Sequence, residues 1–158
     1  MSSPGPRLLA LWRRLAPLPG GKWIFARLLA RTVPYSGTTN PRILELEPGH
    51  VRVAIPDRRA NRNHLRSVHA IALANVAELA SGLAMTTALP DDVRGIVVRF
   101  SMTYLKKARG RLIAESRCVV PVIEREAEYD FTADVRDAAG DVVAQATVTW
   151  RLGPAPAK

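Results

Sequence analysis

The chain has 158 residues, of which 47% are hydrophobic and 23% are charged. This size and composition predict one globular domain with a core of moderate size, and exclude a disordered or low-complexity chain. The single cysteine, Cys118, excludes an intramolecular disulfide and a cysteine-based zinc cluster. Because His50 and His64 have no neighbours at metal-ligand spacing, we expect no metal ion. The default compartment for a chain with so little cysteine is the cytoplasm.

The net charge of +9 lies mostly in the first 44 residues. This segment contains seven lysines and arginines and no acidic residue, whereas the remainder has 16 basic and 14 acidic residues. The pattern predicts a basic arm on a nearly neutral body. This pattern does not favour nucleic acid as the partner. A DNA-binding arm would need a helix-turn-helix motif, and in this arm prolines and glycines separate the two short predicted helices.

The arm is predicted to cover residues 1–34, with short helices at 7–16 and 22–31, the second of them clearly amphipathic. Arginines interrupt every apolar run, which excludes a secretory signal. We expect the two helices to pack on the body with their arginines in solvent. Two alternatives stay open: weak contact with a membrane surface, and a transit peptide, which an arginine-rich and acid-free start resembles.

The body is predicted to cover residues 35–152, followed by a disordered tail at 153–158. Apolar and polar residues alternate along most of its strand segments, which is the period of a strand with one buried face. Turn sequences join the first two segments, and likewise the last two, into hairpins. The six predicted strands cover residues 44–47, 51–55, 96–105, 112–120, 127–135 and 142–150.

Residues 68–85 differ from the rest of the chain because 13 of these 18 residues are Ala, Val, Ile, Leu or Met. A helix that is apolar on nearly every side belongs inside a sheet or inside a membrane. A membrane span would place His69, Asn75 and Glu78 in hydrocarbon, with a charge near its middle. We therefore expect a long helix buried against a curved antiparallel sheet, where small alanine side chains allow a close approach.

The order of two strands, a long helix and four strands accompanies a recognisable spacing of Asn63, His69 and Glu78. The stretch resembles the signature of the phenylacetate-type (PaaI-like) hotdog thioesterases: an asparagine, a His-Gly-Gly six residues later, and an acid nine residues after the histidine. It resembles still more the DUF4442 group of hotdog-fold proteins, in which the helix opens with His-Ala. The resemblance implies an α+β hotdog fold, in which a long apolar central helix is wrapped by a curved antiparallel sheet of about six strands.

The same resemblance implies hydrolysis of an acyl thioester, with coenzyme A as part of the substrate and no further cofactor. It also implies a homodimer or a dimer of dimers. Glu78 would act as general base or nucleophile, and Asn63 would orient the water or the carbonyl group, with Asn75 as a second candidate for that role. Glu78 stands out on physical grounds as well, because a carboxylate in an apolar helix is costly unless it is paired or lies at a cleft.

The start of the helix offers the other half of a thioesterase site. Ser67 is the expected N-cap, and His69 is expected to orient or cap the helix. The first-turn N–H groups near Ala70 and Ile71 would polarise the carbonyl of a bound substrate. His69 and Glu78 are half a turn out of phase and about 13 Å apart along the axis. The resemblance to hotdog dimers implies that the Glu78 and the helix start that act on one substrate come from opposite subunits, and the helical phase agrees with this.

A basic turn between two predicted strands is the candidate for binding coenzyme A. It places four positive charges within six residues, and phosphate groups favour such a cluster. By analogy with the family the turn contacts the phosphates of coenzyme A, and the alternative is an ordinary solvated turn. The four residues are Lys106, Lys107, Arg109 and Arg111.

Two departures from the family pattern keep a second hypothesis open. Ala70 and Ile71 stand where the thioesterases have glycines, and Val97 stands where a serine or threonine is frequent. A non-catalytic hotdog protein that binds an acyl thioester or a lipid fits both departures. A hotdog dehydratase would need an Asp/His pair, and the sequence offers no convincing one.

Overall fold

The computed structural model describes residues 4–155. Helices form where apolar residues recur at helical spacing, and strands form where they alternate with polar residues. The helices are α1 (Pro4–Leu15), α2 (Gly21–Thr32), α3 (Pro34–Gly37) and α4 (Ala70–Ala88), and a 3-10 turn covers Arg59–Asn61. The strands are β1 (Arg42–Glu47), β2 (His50–Ile55), β3 (Val93–Tyr104), β4 (Leu112–Arg117), β5 (Ala127–Arg136) and β6 (Val142–Pro154).

The six strands form one antiparallel sheet in the order β1-β2-β4-β5-β6-β3, so that β1 and β3 are its two edges. Gly49 and Gly140 lie in the β1–β2 and β5–β6 turns with φ angles of 75° and 88°, a left-handed conformation that glycine adopts without strain. All six predicted strands are present, and the expected α+β arrangement of one helix against a curved antiparallel sheet is confirmed.

The long helix α4 packs on the inner face of the sheet and forms the centre of the core. Val76, Ala77 and Ala80 are completely buried, and their small side chains let the sheet approach the helix closely. By length and composition α4 is apolar enough to cross a membrane, yet 61% of its apolar stretch is buried inside the fold. The apolar surface of α4 is therefore buried largely against the strands of the same chain.

The arm packs on the body through α1 and α2. Trp12, Phe25 and Leu29 belong to the main core cluster, and the rings of Trp12 and Phe25 meet edge to face with their centroids 5.1 Å apart. Lys22 Nζ donates a hydrogen bond to the carbonyl oxygen of Leu44 at 2.7 Å and lies 5.4 Å from the ring of Trp12. The basic arm thus shares the core of the body.

The end of the chain differs from its predicted boundary. β6 continues to Pro154, where Gly153 and Pro154 pair with β3, and the backbone N–H of Ala155 donates to the carbonyl oxygen of Asp92 at 2.6 Å. The prediction of a disordered tail from residue 153 is therefore corrected for residues 153–155. The rest of the predicted tail lies outside the described residues.

The edge strand β3 leaves much of its inner face uncovered. A bulge between Val97 and Arg99 shifts the alternation, so that Phe100, Met102 and Tyr104 lie on the same face as Val97, opposite buried residues of β6. Phe100 and Tyr104 are nevertheless 36% and 48% exposed. An apolar surface beside α4 thus remains open to solvent in the single chain.

Candidate active site

Glu78 lies in the middle of α4, on the stripe of the helix that the sheet does not cover. Ile71, Ala74 and Gly82 occupy the same stripe at helical spacing. The Glu78 side chain is partly buried, and burial raises the pKa of its carboxyl group. Within residues 4–155 no ion pair or hydrogen bond engages this carboxylate. Glu78 therefore combines an elevated pKa with an uncommitted carboxylate, which suits a general base.

Trp150 of β6 bounds the space beside Glu78. A Cβ atom at Gly82 would stand 3.2 Å from Cζ2 of Trp150 and 3.9 Å from Oε1 of Glu78, so the indole and the carboxylate share the space above this glycine. On the other side, a Cβ atom at Gly95 of β3 would stand 3.6 Å from Cε3 of the indole. Two glycines thus let a large aromatic ring pack next to the candidate base, a feature that the sequence analysis did not single out.

His69 directly precedes α4. Its Nδ1 accepts a hydrogen bond from the backbone N–H of Ile71 at 3.1 Å, so His69 is the N-cap. The prediction that Ser67 caps the helix is wrong, because Ser67 lies two residues before the cap and is buried, with no partner for its Oγ in the described part of the chain. The extended backbone of His69 (φ −64°, ψ 141°) places its own ring over the first turn instead.

This cap changes the set of donors at the helix start. The N–H of Ile71 is taken up by His69, which corrects the prediction that Ile71 offers a free donor. The N–H groups of Ala72 and Leu73 both donate to the carbonyl oxygen of His69. The N–H of Ala70 has no acceptor within residues 4–155 and lies at the positive end of the helix dipole. Among the described residues, the backbone N–H of Ala70 is therefore the donor left without an acceptor at the start of α4.

A cleft of about 270 Å³ opens at this helix start, and Asn63, Ala70, Tyr104 and Lys107 contribute to its lining. The hydroxyl of Tyr104 donates to the carbonyl oxygen of Ala70 at 3.2 Å and joins the edge strand to the helix. Burial raises the pKa of Tyr104, so the hydroxyl remains a donor. Tyr104 could not be predicted from the sequence, because the β-bulge that turns it toward α4 leaves no clear signal in the alternation.

Asn63 forms part of the wall of this cleft. Its Oδ1 accepts hydrogen bonds from the backbone N–H groups of Leu65 at 3.0 Å and Ser67 at 3.2 Å, which shapes the loop before α4. Its Nδ2 has no partner among the residues that the structure describes. The structure thus brings Asn63 to the helix start with one amide donor available.

Asn75 anchors the fold instead of joining the cleft. Its Oδ1 accepts a hydrogen bond from Thr39 Oγ1 at 3.2 Å, and its Nδ2 donates to the carbonyl oxygen of Tyr35 at 3.3 Å. The side chain is buried. These bonds tie α4 to the segment around α3, so the amide is not available for the predicted role of orienting water.

Of the four cations in the basic turn, one forms ion pairs and three have none among the described residues. Lys106 Nζ pairs with Asp137 at 2.8 Å and with Asp141 at 2.6 Å, and these carboxylates raise its pKa. Lys106 therefore fastens the β3–β4 loop to the β5–β6 turn, and its role as a phosphate ligand remains a prediction. Three exposed cations of the turn have no ion pair within the described residues: Lys107, Arg109 and Arg111.

Glu78 and the helix start are far apart within one chain. Ala70 and Glu78 are separated by eight residues of helix, which corresponds to about 12 Å. One chain cannot present both groups to the same thioester. The prediction that two subunits share each site follows from this distance and remains a prediction.

The other chemical candidates are weak. The thiol of Cys118 is half-buried, and burial raises its pKa to about 11, so it is protonated and a poor nucleophile at neutral pH. Within residues 4–155 no group of three or more His, Cys, Asp and Glu side chains is placed to hold a metal ion. Among these groups, the carboxylate of Glu78 remains the strongest candidate for the reacting side chain.

Solved structures of other proteins have the same architecture as this chain. A protein of unknown function from Pseudomonas aeruginosa, described as a probable thioesterase, is 28% identical, with a TM-score of 0.73 over 87% of this chain and 97% of that one. A structural-genomics target is 29% identical, with a TM-score of 0.75 over 94% and 97%. A mutant of PaaI, the phenylacetic acid degradation protein of Thermus thermophilus, is 24% identical, with a TM-score of 0.63 over 75% and 97%. None of the curated proteins matches the chain in sequence.

The chain also matches a protein family in its sequence. The profile of a domain of unknown function, DUF4442, matches residues 21–152, which extend from α2 into β6. This match and the thioesterase-like neighbours confirm the resemblance drawn from Asn63, His69 and Glu78. The chain belongs to the DUF4442 family and has the hotdog fold of the thioesterases.

Proposed function

We propose that this protein hydrolyses an acyl-coenzyme A thioester. The observation that carries the proposal is the state of Glu78: a partly buried carboxylate with a raised pKa and no partner in the described residues, on the uncovered stripe of α4. A structural carboxylate in this position would be paired. An unpaired one beside an open apolar surface is suited to take a proton from water next to a lipophilic substrate.

Glu78 can promote hydrolysis in two ways. As a general base it removes a proton from water, whose oxygen bonds to the thioester carbon while the C–S bond breaks and the thiolate of coenzyme A leaves and is protonated. As a nucleophile its carboxylate oxygen bonds to that carbon and expels the thiolate, and water then hydrolyses the resulting anhydride. Both routes need the ionised form of Glu78.

The negative charge that develops on the carbonyl oxygen is stabilised at the helix start. The free N–H of Ala70 lies at the positive end of α4, and Asn63 Nδ2 is a second donor at the same cleft. Ala70 serves with its backbone, so the replacement of glycine by alanine leaves the donor itself in place.

The complete site requires a second copy of the chain. Because Ala70 and Glu78 of one chain lie too far apart, the partner's helix start must approach Glu78. The uncovered inner face of β3, with Phe100 and Tyr104 exposed beside the open stripe of α4, provides the apolar surface on which a second copy can pack. We therefore propose a homodimer, or a dimer of such dimers.

The free cations of the basic turn provide a binding site for the phosphates of coenzyme A. Lys107 lines the cleft at the helix start, and Arg109 and Arg111 follow it in the turn. A substrate with its thioester at Ala70 would therefore have its nucleotide end near these cations. No other cofactor enters this proposal.

Replacing Lys107, Arg109 and Arg111 together by alanine is expected to raise KM for an acyl-coenzyme A about tenfold with kcat nearly unchanged, because each exposed cation contributes roughly 0.5 kcal/mol to phosphate binding. Steady-state hydrolysis of acyl-coenzyme A esters of several chain lengths measures both constants. Acyl-pantetheine, which lacks the nucleotide phosphates, should be hydrolysed equally by both proteins. An unchanged KM for the coenzyme A ester contradicts the role of the turn, and Arg125→Ala is the control for loss of an exposed charge.

The alternative function is binding of an acyl thioester or a lipid without hydrolysis. The observation that favours it is Val97, which lies on the inner face of β3 opposite Trp150 and offers no hydroxyl. If the wild-type protein binds a non-hydrolysable acyl-coenzyme A analogue but releases no free thiol from any chain length, the enzymatic proposal fails and this alternative stands.

A further inference from the structure

The helix α2 has an outward face that the fold leaves in solvent. Trp23 and Ile24 are 59% and 42% exposed, and Arg27 and Arg31 are exposed beside them. The spacing of these four residues places them within one side of the helix. We call this set the α2 face. The opposite side of α2, with Phe25 among others, is buried against the body.

The segments that flank α2 expose further apolar side chains. Leu18, in the turn before the helix, is 56% exposed, and Val33 and Tyr35, directly after it, are 39% and 68% exposed. A single exposed apolar side chain is ordinary, but large apolar and aromatic residues concentrated around one helix indicate a surface with a partner.

The charge of the α2 face restricts the partner. Within the described residues Arg27 and Arg31 have no ion pair, and the guanidinium of Arg27 lies 5.7 Å from the ring centre of Trp23. The nearest acid in the sequence is Glu45, and it pairs with Arg52. The α2 face of a second copy cannot pack against this one, because the arginines of the two faces would repel each other. The complementary partner is anionic and accepts apolar side chains as well.

We propose that the α2 face binds the surface of an anionic lipid bilayer. Trp23 and Ile24 would enter the boundary between headgroups and acyl chains, where an indole ring is favoured, and Arg27 and Arg31 would contact the lipid phosphates. The helix lies along the membrane surface, because its buried side remains packed on the body. Nucleic acid fits the arginines but gives no role to Ile24 and its aliphatic neighbours.

Sedimentation of the full chain with lipid vesicles tests this proposal. We expect binding to phosphatidylcholine vesicles that contain phosphatidylglycerol and little binding to phosphatidylcholine alone, with affinity falling as salt is raised. The double variant Trp23→Ala, Ile24→Ser is expected to lower the partition coefficient about tenfold, because it removes the two inserted side chains. It should unfold at the wild-type temperature and hydrolyse thioesters at the wild-type rate, since both side chains lie outside the core and the cleft.

Two control variants locate the binding surface. Val119→Ser, Val122→Ser changes two residues that are 91% and 85% exposed on another part of the chain, and should bind vesicles as the wild type does. Alanine at Lys107, Arg109 and Arg111 tests the other basic cluster and should also leave binding nearly unchanged. The proposal is overturned if the wild type does not sediment with anionic vesicles, if it binds duplex DNA in their place, or if only the basic-turn variant loses binding.

Discussion

Replacing Glu78 by glutamine is expected to lower kcat for thioester hydrolysis about 10²- to 10⁴-fold, because the amide can neither remove a proton from water nor attack the thioester carbon. The two side chains have nearly the same shape, so the substrate should bind with similar affinity. Release of free thiol in steady state measures the loss. Glu124→Gln, a change at an exposed glutamate outside the site, is the control and should keep the wild-type rate. Full activity of Glu78→Gln contradicts the assignment of Glu78.

The same substitution has an opposite effect on stability. Burial raises the pKa of Glu78 in the folded chain above its ordinary value of 4.5, so the folded protein holds this proton at a pH where the unfolded chain has released it. The wild type therefore loses stability as the pH rises through the folded pKa. Glu78→Gln should melt higher than the wild type at neutral pH, with no difference in acid, where both side chains are neutral. A lower melting temperature at neutral pH would show a structural ion pair instead.

The pH dependence of the reaction follows from the same shift. Because the reaction needs ionised Glu78, kcat/KM falls on the acid side with the pKa of this group in the free enzyme. That acid limb should lie above pH 4.5, the ordinary value for a glutamate. The experiment on Glu78→Gln includes this profile, since any residual activity of the variant should lack the limb.

Ala70→Pro is expected to lower kcat about 10²- to 10³-fold, the loss that follows removal of one donor to a developing oxyanion. Proline deletes the N–H of residue 70 and little else. The first position of a helix tolerates proline, and the preceding residue, His69, already has the extended backbone that proline requires of its neighbour. The measurement is steady-state hydrolysis together with the melting temperature, which should change little.

Ala70→Ser is the matched control for Ala70→Pro. It alters the side chain and keeps the N–H, and should therefore retain most of the activity. If Ala70→Pro keeps the wild-type kcat while it remains folded, the helix start does not polarise the carbonyl. If both variants lose activity equally, the side chain at residue 70 matters and the backbone donor does not.

The fold could be predicted because local patterns in the chain agree with the final structure. The alternation that runs from Ala127 to Val135 and from Val142 to Trp150 matches β5 and β6, and the apolar run at 68–85 matches α4. These patterns report which side of each element is buried, and that information is local. The register shift at the bulge in β3 is not local, and for that reason Tyr104 was missed.

The site was predicted less completely because its polar groups are shared over long distances in sequence. Lys106 was expected to be free, yet it pairs with Asp137 and Asp141 more than thirty residues away. Asn75 was a second candidate to orient the water or the carbonyl, yet its amide is used by Thr39 and Tyr35 from the segment around α3. Sequence spacing identifies which residues can share a helix face, but it does not show which partners have already engaged them.

The N-cap of α4 was also predicted wrongly, because the capping residue depends on contacts that the local sequence does not show. Ser67 has a residue type that often caps helices, and it lies three positions before the first helical residue, Ala70. His69 caps instead, because the backbone N–H of His69 donates to the carbonyl oxygen of Asn61 at 2.7 Å and fixes the chain just ahead of α4. The residue at which a helix starts thus depends on the conformation of the loop that precedes it.

A mixed dimer tests most directly whether each site joins Glu78 of one chain to Ala70 of its partner. Glu78→Gln and Ala70→Pro chains with different affinity tags are co-expressed, and the heterodimer is purified through both tags. Its two sites differ: one contains both substitutions and the other contains neither, so we expect about half of the wild-type activity from two nearly inactive parents. A heterodimer no more active than either parent homodimer would contradict the shared site.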